Sequence, residues 1–226
     1  MIKNIITRTE LSDFVSDLLR HDVRTENILY EMSAPSYLHW NALARWVFWK
    51  RRSIIEAIIS MEPYHNILDF GCGMGLLFPV YKAAGAERIF ATDLFPSIAE
   101  AMARRQGIDV MIGKNVGFIE TIPDGSLDLV VAADSIEHVD DCAVVLNLFL
   151  QKMKPGGMLV ISDPSENALY RLGRRLAGRQ FKGDYHHRTV FDIQHSAIET
   201  GFTPVQYFSI PPVKIFQLFS VTTYHV

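Results

Sequence analysis

The sequence predicts an α/β protein: a doubly wound, mostly parallel sheet of seven strands, preceded by an N-terminal helical cap. Three observations predict it. From His65 onward, short apolar runs alternate with helical patterns, the rhythm of strand–helix–strand units. The run Ile67-Leu68-Asp69-Phe70 ends in Gly71-Cys72-Gly73-Met74-Gly75, so a strand packed on both faces turns sharply toward a helix. Before His65 the apolar residues recur at helical spacing alone.

The totals set the outer bounds. A chain of 226 residues can build one α/β domain with a substantial core. Apolar residues at 49% and charged residues at 21% are ordinary for a folded domain, so no disordered or fibrous class is indicated. A net charge of −3 provides no global field for nucleic acid or an anionic membrane. Two cysteines, Cys72 and Cys142, argue against a disulfide scaffold and suit a reducing, cytoplasmic setting. The first residues carry Glu10, Asp13 and Asp17 and lack the apolar stretch of a signal peptide. No run approaches the roughly 18 apolar residues of a membrane span.

In chain order, residues 9–60 read as helical. Leu11, Phe14, Val15, Leu18 and Leu19 form one apolar face, with Thr9 or Ser12 as caps. A break near Ser33-Ala34-Pro35-Ser36 precedes a second helix with Trp40, Leu43, Trp46, Val47, Ile54, Ile55, Ile58 and Ile59 on its apolar faces. Lys50-Arg51-Arg52 beside three tryptophans could touch anionic lipid or an anionic substrate group. The helical spacing of the aromatics favours a core-packing helix with a solvated basic turn. The domain boundary falls near residue 62: a cap over 1–62 and an α/β domain over 63–226.

The first strand is expected over 66–70, followed by a helix over 74–84 that tolerates Pro79 in its first turn and stops at Gly85. Glycines in the connecting turn let a ligand lie against bare backbone, and the helix start adds free N–H groups. A dinucleotide fingerprint fails because Leu76 stands at its third glycine, and a phosphate-loop Gly-Lys-Ser/Thr is absent. The second strand, 88–92, ends at Asp93, about 20 residues past the glycines, where an acid can accept hydrogen bonds from ribose hydroxyls. Asp93 could instead cap the helix expected over 96–106. A third strand, 108–112, leads to Gly113-Lys114-Asn115-Val116, where Asn115 can serve a nucleobase edge or simply a turn.

The turn Pro123-Asp124-Gly125-Ser126 precedes the fourth strand, which runs into Asp134-Ser135-Ile136-Glu137-His138-Val139. A helix over 141–153, the turn Lys154-Pro155-Gly156-Gly157 and a strand over 158–162 follow. The connection over 163–188 carries Arg171, Arg174, Arg175, Arg179 and Lys182, then Tyr185-His186-His187-Arg188. It reads either as a substrate lid for an acceptor bearing a phosphate or carboxylate, or as a solvated basic helix. A helix over 190–200, stopped by Gly201, and strands over 203–210 and 214–223 close the chain.

The Asp69–Gly75 run (D-x-G-x-G-x-G), Asp93, the segment from Asp124 to Asp140 and the Lys154–Gly157 turn together resemble the class I S-adenosylmethionine-dependent methyltransferases of the small-molecule type. The resemblance covers residues 66–161 by motif and the remainder by pattern. It implies a Rossmann-like methyltransferase fold whose last strand is antiparallel, with S-adenosyl-L-methionine as cofactor. It implies that Asp69, Gly71, Cys72, Gly73 and Gly75 hold the methionine and ribose side, Asp93 the ribose, Leu94 and Asn115 the adenine, and that residues 134–138 face the transferable methyl.

If the acceptor is a hydroxyl or a protonated nitrogen, a base is required. An imidazole titrates near neutrality, which makes His138 the first candidate, His186 and His187 the second, and Glu137 an orienting or substrate-binding group. The Glu-His pair can alternatively only anchor the helix start. Glu137, His138, His186 and His187 show no tight ligand spacing, so no metal is expected. Two other readings are a non-catalytic binding or partner subunit that keeps the fold, and methylation of nucleic acid or protein. The sequence after the fourth strand lacks the Asn/Asp-Pro-Pro-Tyr/Phe signature for base amino groups.

Overall fold

The computed structural model describes residues 6–21, 25–32, 34–165, 167, 189–213 and 217–226. Four helices come first: α1 (Arg8–His21), α2 (Thr25–Glu31), α3 (Ala34–Leu38) and α4 (Ala42–Ile59). The alternating part follows as β1 (Asn66–Phe70), α5 (Phe78–Ala83), β2 (Arg88–Asp93), α6 (Pro96–Gln106), β3 (Met111–Lys114), α7 (Gly117–Glu120) and β4 (Leu127–Ala133). A single 3-10 turn (Ile136–His138), α8 (Cys142–Lys152), β5 (Met153–Pro164), α9 (Val190–Thr200), β6 (Thr203–Ile210) and β7 (Phe219–His225) complete it. The seven strands form one sheet in the order β3-β2-β1-β4-β5-β7-β6. The first five are parallel, and β7 runs antiparallel to both β5 and β6.

Alternation along the strands sends successive side chains to opposite faces. Ile67, Leu129, Val131, Val160 and Val221 face a core built with Val47, Ile55, Ile58 and Ile59 of α4 and Phe78 and Tyr81 of α5. Leu68, Phe70, Val130, Ala132, Leu159 and Ile161 face the other core, with Leu146 and Phe149 of α8 and Ile193 of α9. Each fully buried aliphatic side chain contributes about 1.5–3 kcal/mol relative to exposure. A third cluster joins Leu11, Phe14, Leu29 and Tyr37 of the first helices to Met74, Leu76, Ile98 and Met102. Helix α4 is thus a flank of the sheet, while α1–α3 lie over the glycine turn and α6.

Several expected boundaries move. The helix after β1 starts at Phe78 rather than residue 74, because positive-φ backbone at Gly71, Gly73 and Gly75 prolongs the turn. Strand β3 occupies 111–114 rather than 108–112, since Gly107 closes α6 in a left-handed cap and residues 108–110 climb back to the sheet edge. The last strand starts at Phe219; residues 214–216 lie outside the described set. The expected break at 33–36 is instead the short helix α3, which accepts Pro35 in its first turn. The real break is at 39–41, where the Asn41 side chain caps α4 by accepting from the Leu43 and Ala44 N–H groups. Lys154-Pro155-Gly156-Gly157 forms a bulge inside β5: pairing steps from Leu127↔Met153 to Leu129↔Met158.

The basic cluster also differs from expectation. Only Lys50 is solvated; Arg51 and Arg52 are buried, at 4% and 2% exposure. Conversely Trp40, Leu43 and Trp46 remain exposed, and only Trp49 packs inward, donating its indole N–H to the Tyr37 carbonyl at 3.0 Å.

Candidate active site

A cavity of about 540 Å³ opens at the carboxyl ends of β1, β2 and β4, the crevice where open parallel sheets bind ligands. Its floor is the glycine turn. The Gly71 and Cys72 N–H groups both donate to the Thr92 carbonyl at 2.9 Å, tying the turn to the end of β2. Asp93 completes the tie: its carboxylate accepts from Gly73 N–H and Phe95 N–H, each at 2.9 Å. Asp93 therefore forms a clasp across the turn rather than the cap of α6, whose N-cap position is Phe95. Each Asp93 oxygen keeps a lone pair for a further donor.

Gly73 gives the test of ligand fit. At φ 53 it occupies the left-handed region, and a Cβ built there would meet nothing nearer than Met32 Cβ at 4.0 Å. The bare backbone thus faces open cavity. Gly75 does not: its Cβ would stand 2.4 Å from the Phe78 ring, and Gly75 is absent from the cavity lining. Gly75, expected at the cofactor, stands outside the cavity lining and lets α5 start beneath the turn.

Asp69 and Cys72 line the cavity. Burial raises the Asp69 carboxyl to about 7; the Tyr81 hydroxyl beside it pulls the other way, and Asp93 adds to the rise. Burial, with Asp69 and Asp93 nearby, pushes the Cys72 thiol up, so it stays neutral. Burial likewise raises Asp93, against the N–H groups of Phe95, Gly73 and Leu94. Leu94, Phe95 and Val116 form an apolar rim, with Asn115 beside them at φ 60, a conformation that asparagine tolerates.

The opposite wall comes from β4 and the cap. Asp134, also at positive φ, donates its N–H to the Ser162 carbonyl at 2.7 Å, and its carboxylate is ion-paired with Arg51 of α4. Arg51 donates from Nη2 to the Tyr37 hydroxyl at 2.8 Å and lies between the Phe48 and Phe219 rings, 5.3 and 5.2 Å from their centroids. Ser135 donates its hydroxyl to the Phe70 carbonyl at 2.8 Å, stitching β4 to β1. His138 lines the cavity, and its side chain is 44% exposed.

The structure therefore brings Asp69, Gly71, Cys72, Gly73, Asp93, Leu94, Asn115, Asp134 and His138 to one cavity. Glu137 is not among them. It is 1% exposed and lies outside the cavity lining. Ile136 and Glu137 of the turn are buried, while Ser135 and His138 on either side of them line the cavity. His186 and His187 lie outside the described residues, as do the arginines at 171–179. No group of three or more His, Cys, Asp or Glu able to hold a metal occurs among the described residues.

Sequence reasoning missed Tyr37 and Met32, and favoured a solvated turn for Arg51. A signal existed for Arg51: Val47, Arg51, Ile55, Ile58 and Ile59 share one helical stripe, so this arginine sits on the apolar face. A charge on a buried stripe is retained only with a partner, here Asp134.

A parallel α/β sheet with reversed last strand, a glycine turn open to a cavity and an acid at the end of β2 define a class I S-adenosylmethionine-dependent methyltransferase. Residues 8–207 match the methyltransferase domain family, and the chain belongs to it. It is 25% identical over 185 residues to the mitochondrial ubiquinone biosynthesis O-methyltransferase of Schizosaccharomyces pombe, covering 76% of this chain and 67% of that one. It is 31% identical over 103 residues to the ribosomal protein L11 methyltransferase of Burkholderia mallei, covering 46% of this chain and 33% of that one. The chain thus spans between a third and two thirds of these relatives. In fold it is similar to the N-methyltransferase NodS of Bradyrhizobium japonicum in complex with S-adenosyl-L-homocysteine, with a TM-score of 0.62 at 16% identity over 90% of this chain and 98% of that one. No helix among the described residues is long and apolar enough to cross a membrane.

Proposed function

We propose that this chain transfers a methyl group from S-adenosyl-L-methionine to a nucleophile on a small molecule, with α1–α3 roofing the site over the 63–226 domain. The observation that carries the reading is the bare Gly73 backbone facing a cavity whose far wall presents His138. The chemistry supplied by bound S-adenosylmethionine is a methyl carbon already activated by its positive sulfur. The protein's task is alignment, exclusion of water and management of one proton.

Asp93 would hold the ribose hydroxyls with its spare lone pairs, while Leu94, Phe95 and Val116 flank the adenine and Asn115 meets its edge. Gly71 to Gly73 would carry the methionine portion along backbone. Arg51 is the one Lys or Arg among the described lining residues, and would face the methionine carboxylate. Its remaining N–H groups allow this without surrendering Asp134 or Tyr37. His138 is placed to accept a proton from a hydroxyl acceptor. The match to an enzyme named as an O-methyltransferase supports that choice of nucleophile.

Titration calorimetry with S-adenosylmethionine and its demethylated product tests the cofactor half; absence of binding by either would end the proposal. Methyl turnover across a panel of phenols, catechols and amines tests the acceptor half. A protein acceptor is the second reading, because one relative is named as a ribosomal protein methyltransferase. Turnover on peptide or ribosomal protein, with none on small molecules, would replace the first reading with it.

A further inference from the structure

The outward face of α4 takes no part in the site, although the helix itself carries Arg51 into the cavity wall. Three large apolar side chains stand in the open there. Trp40, just before the Asn41 cap, is 79% exposed, Leu43 67% and Trp46 43%. Leu43, Trp46 and Lys50 follow at spacings of three and four, so they share one stripe of the helix, and Lys50 is exposed as well. Trp49 points the other way and packs on Tyr37. A single exposed apolar side chain is ordinary; two indoles and a leucine side by side form a patch.

The charges around this patch have one sign. No Asp or Glu occurs in residues 32–55. The elements packed on α4, namely α3, α5, β6 and β7, contain none either. Arg45 and Lys50 are the cations beside the patch, while Arg51 and Arg52 are buried. The whole chain carries −3, so this acid-free region departs from its average.

Two kinds of occupant compete for such a face. A stable protein complex buries about 800 Å² on each partner. The three side chains expose only on the order of 400 Å², since a whole aromatic side chain offers about 150–250 Å². A phospholipid surface requires neither that area nor a matching shape. Indole rings settle at the headgroup level, where one end is apolar and the other wet. A lysine one turn away lays its stem along the apolar surface and keeps its ammonium among the headgroups, which attract it when they are anionic.

We infer that Trp40, Leu43, Trp46 and Lys50 dock this protein peripherally on an anionic phospholipid surface. These side chains already face outward, so docking requires no rearrangement of the cap. The inference stands whatever the methyl acceptor is.

The test mixes the full-length chain with phosphatidylcholine vesicles containing one quarter phosphatidylglycerol, and separately with pure phosphatidylcholine vesicles. The chain should float with the mixed vesicles, its tryptophan emission should shift to the blue, and lipids brominated high on the acyl chain should quench it. Trp40→Ser/Trp46→Ser should weaken vesicle affinity about tenfold or more, equivalent to about 1.4 kcal/mol. Lys50→Gln should weaken it about fivefold, the effect of about 1 kcal/mol for one cation at an anionic leaflet. Both variants should keep the parent's melting temperature and its affinity for S-adenosylhomocysteine, because these side chains belong to neither the cores nor the cavity lining. No flotation with the mixed vesicles would overturn the proposal, as would equal flotation of the double tryptophan variant. Equal affinity for pure phosphatidylcholine would overturn its anionic part. A dimer in sedimentation that the double variant loses, without vesicle binding, would give the face to a second copy of the chain instead. If the double variant does not fold, quenching of the native chain by brominated lipid decides alone, and its absence refutes docking.

Discussion

At the floor of the cavity the contacts come from one short run of backbone, Gly71 to Gly73, clasped by Asp93; at the opposite wall they come from side chains on α3, α4 and residues 134–138. The floor is local in sequence and tolerates little variation, because its geometry lies in φ angles and N–H directions. The wall is assembled from residues as far apart as Tyr37 and Asp134, and its chemistry can change one side chain at a time. A fold shared among many enzymes keeps the first and varies the second.

The comparison can be broken by substitution. The largest effect is expected from Arg51→Ala, which leaves Asp134 without its buried partner. Breaking a buried pair in this way costs about 3–5 kcal/mol, read by chemical denaturation. A loss under about 1 kcal/mol would show that the wall is not held by this pair. Asp93→Ala should come next: losing hydrogen bonds to a charged group, each worth about 1.5–3 kcal/mol, predicts a tenfold to hundredfold weaker affinity for S-adenosylhomocysteine by calorimetry. Unchanged affinity would remove Asp93 from the ribose.

A smaller effect follows from Asp69, whose carboxyl is raised to about 7 in the folded chain from an ordinary value near 4. Its folded state binds the proton more tightly, so its contribution to stability is complete below the unfolded value and disappears as pH rises through about 7. The melting temperature of the cofactor-free chain should fall across that window. Asp69→Asn should flatten the curve, and an unaltered pH dependence would refute the assignment. The smallest change is expected at Trp40, which is 79% exposed: Trp40→Ser should alter stability by under about 0.5 kcal/mol and leave cofactor affinity untouched. A larger loss would place Trp40 within the cap's packing.

What could be read from the sequence follows the same division. The floor was legible because glycine spacing and a strand-ending acid each express local backbone demands. Strand alternation likewise foretold the doubly wound sheet. The wall was less legible. Glu137 and His138 are neighbours with opposite fates, and their places in one 3-10 turn decide which lines the cavity. Arg51 was hidden among two other cations, and its burial depends on Asp134, 83 positions later in the chain (134 minus 51). The Trp40–Trp46 face looked like core because it keeps helical spacing, yet the sheet is already covered by the other face of α4.

Helix α4 carries both Arg51 and the core residues Ile55, Ile58 and Ile59. Whatever grips that arginine also grips the beam that closes one side of the sheet. Occupancy of the cavity should therefore be recorded by the whole molecule: each tenfold excess of ligand over its dissociation constant adds about 1.4 kcal/mol to the free energy of unfolding. Heat resistance in a simple melting assay becomes a way to find compounds that fill the site before any turnover is observed.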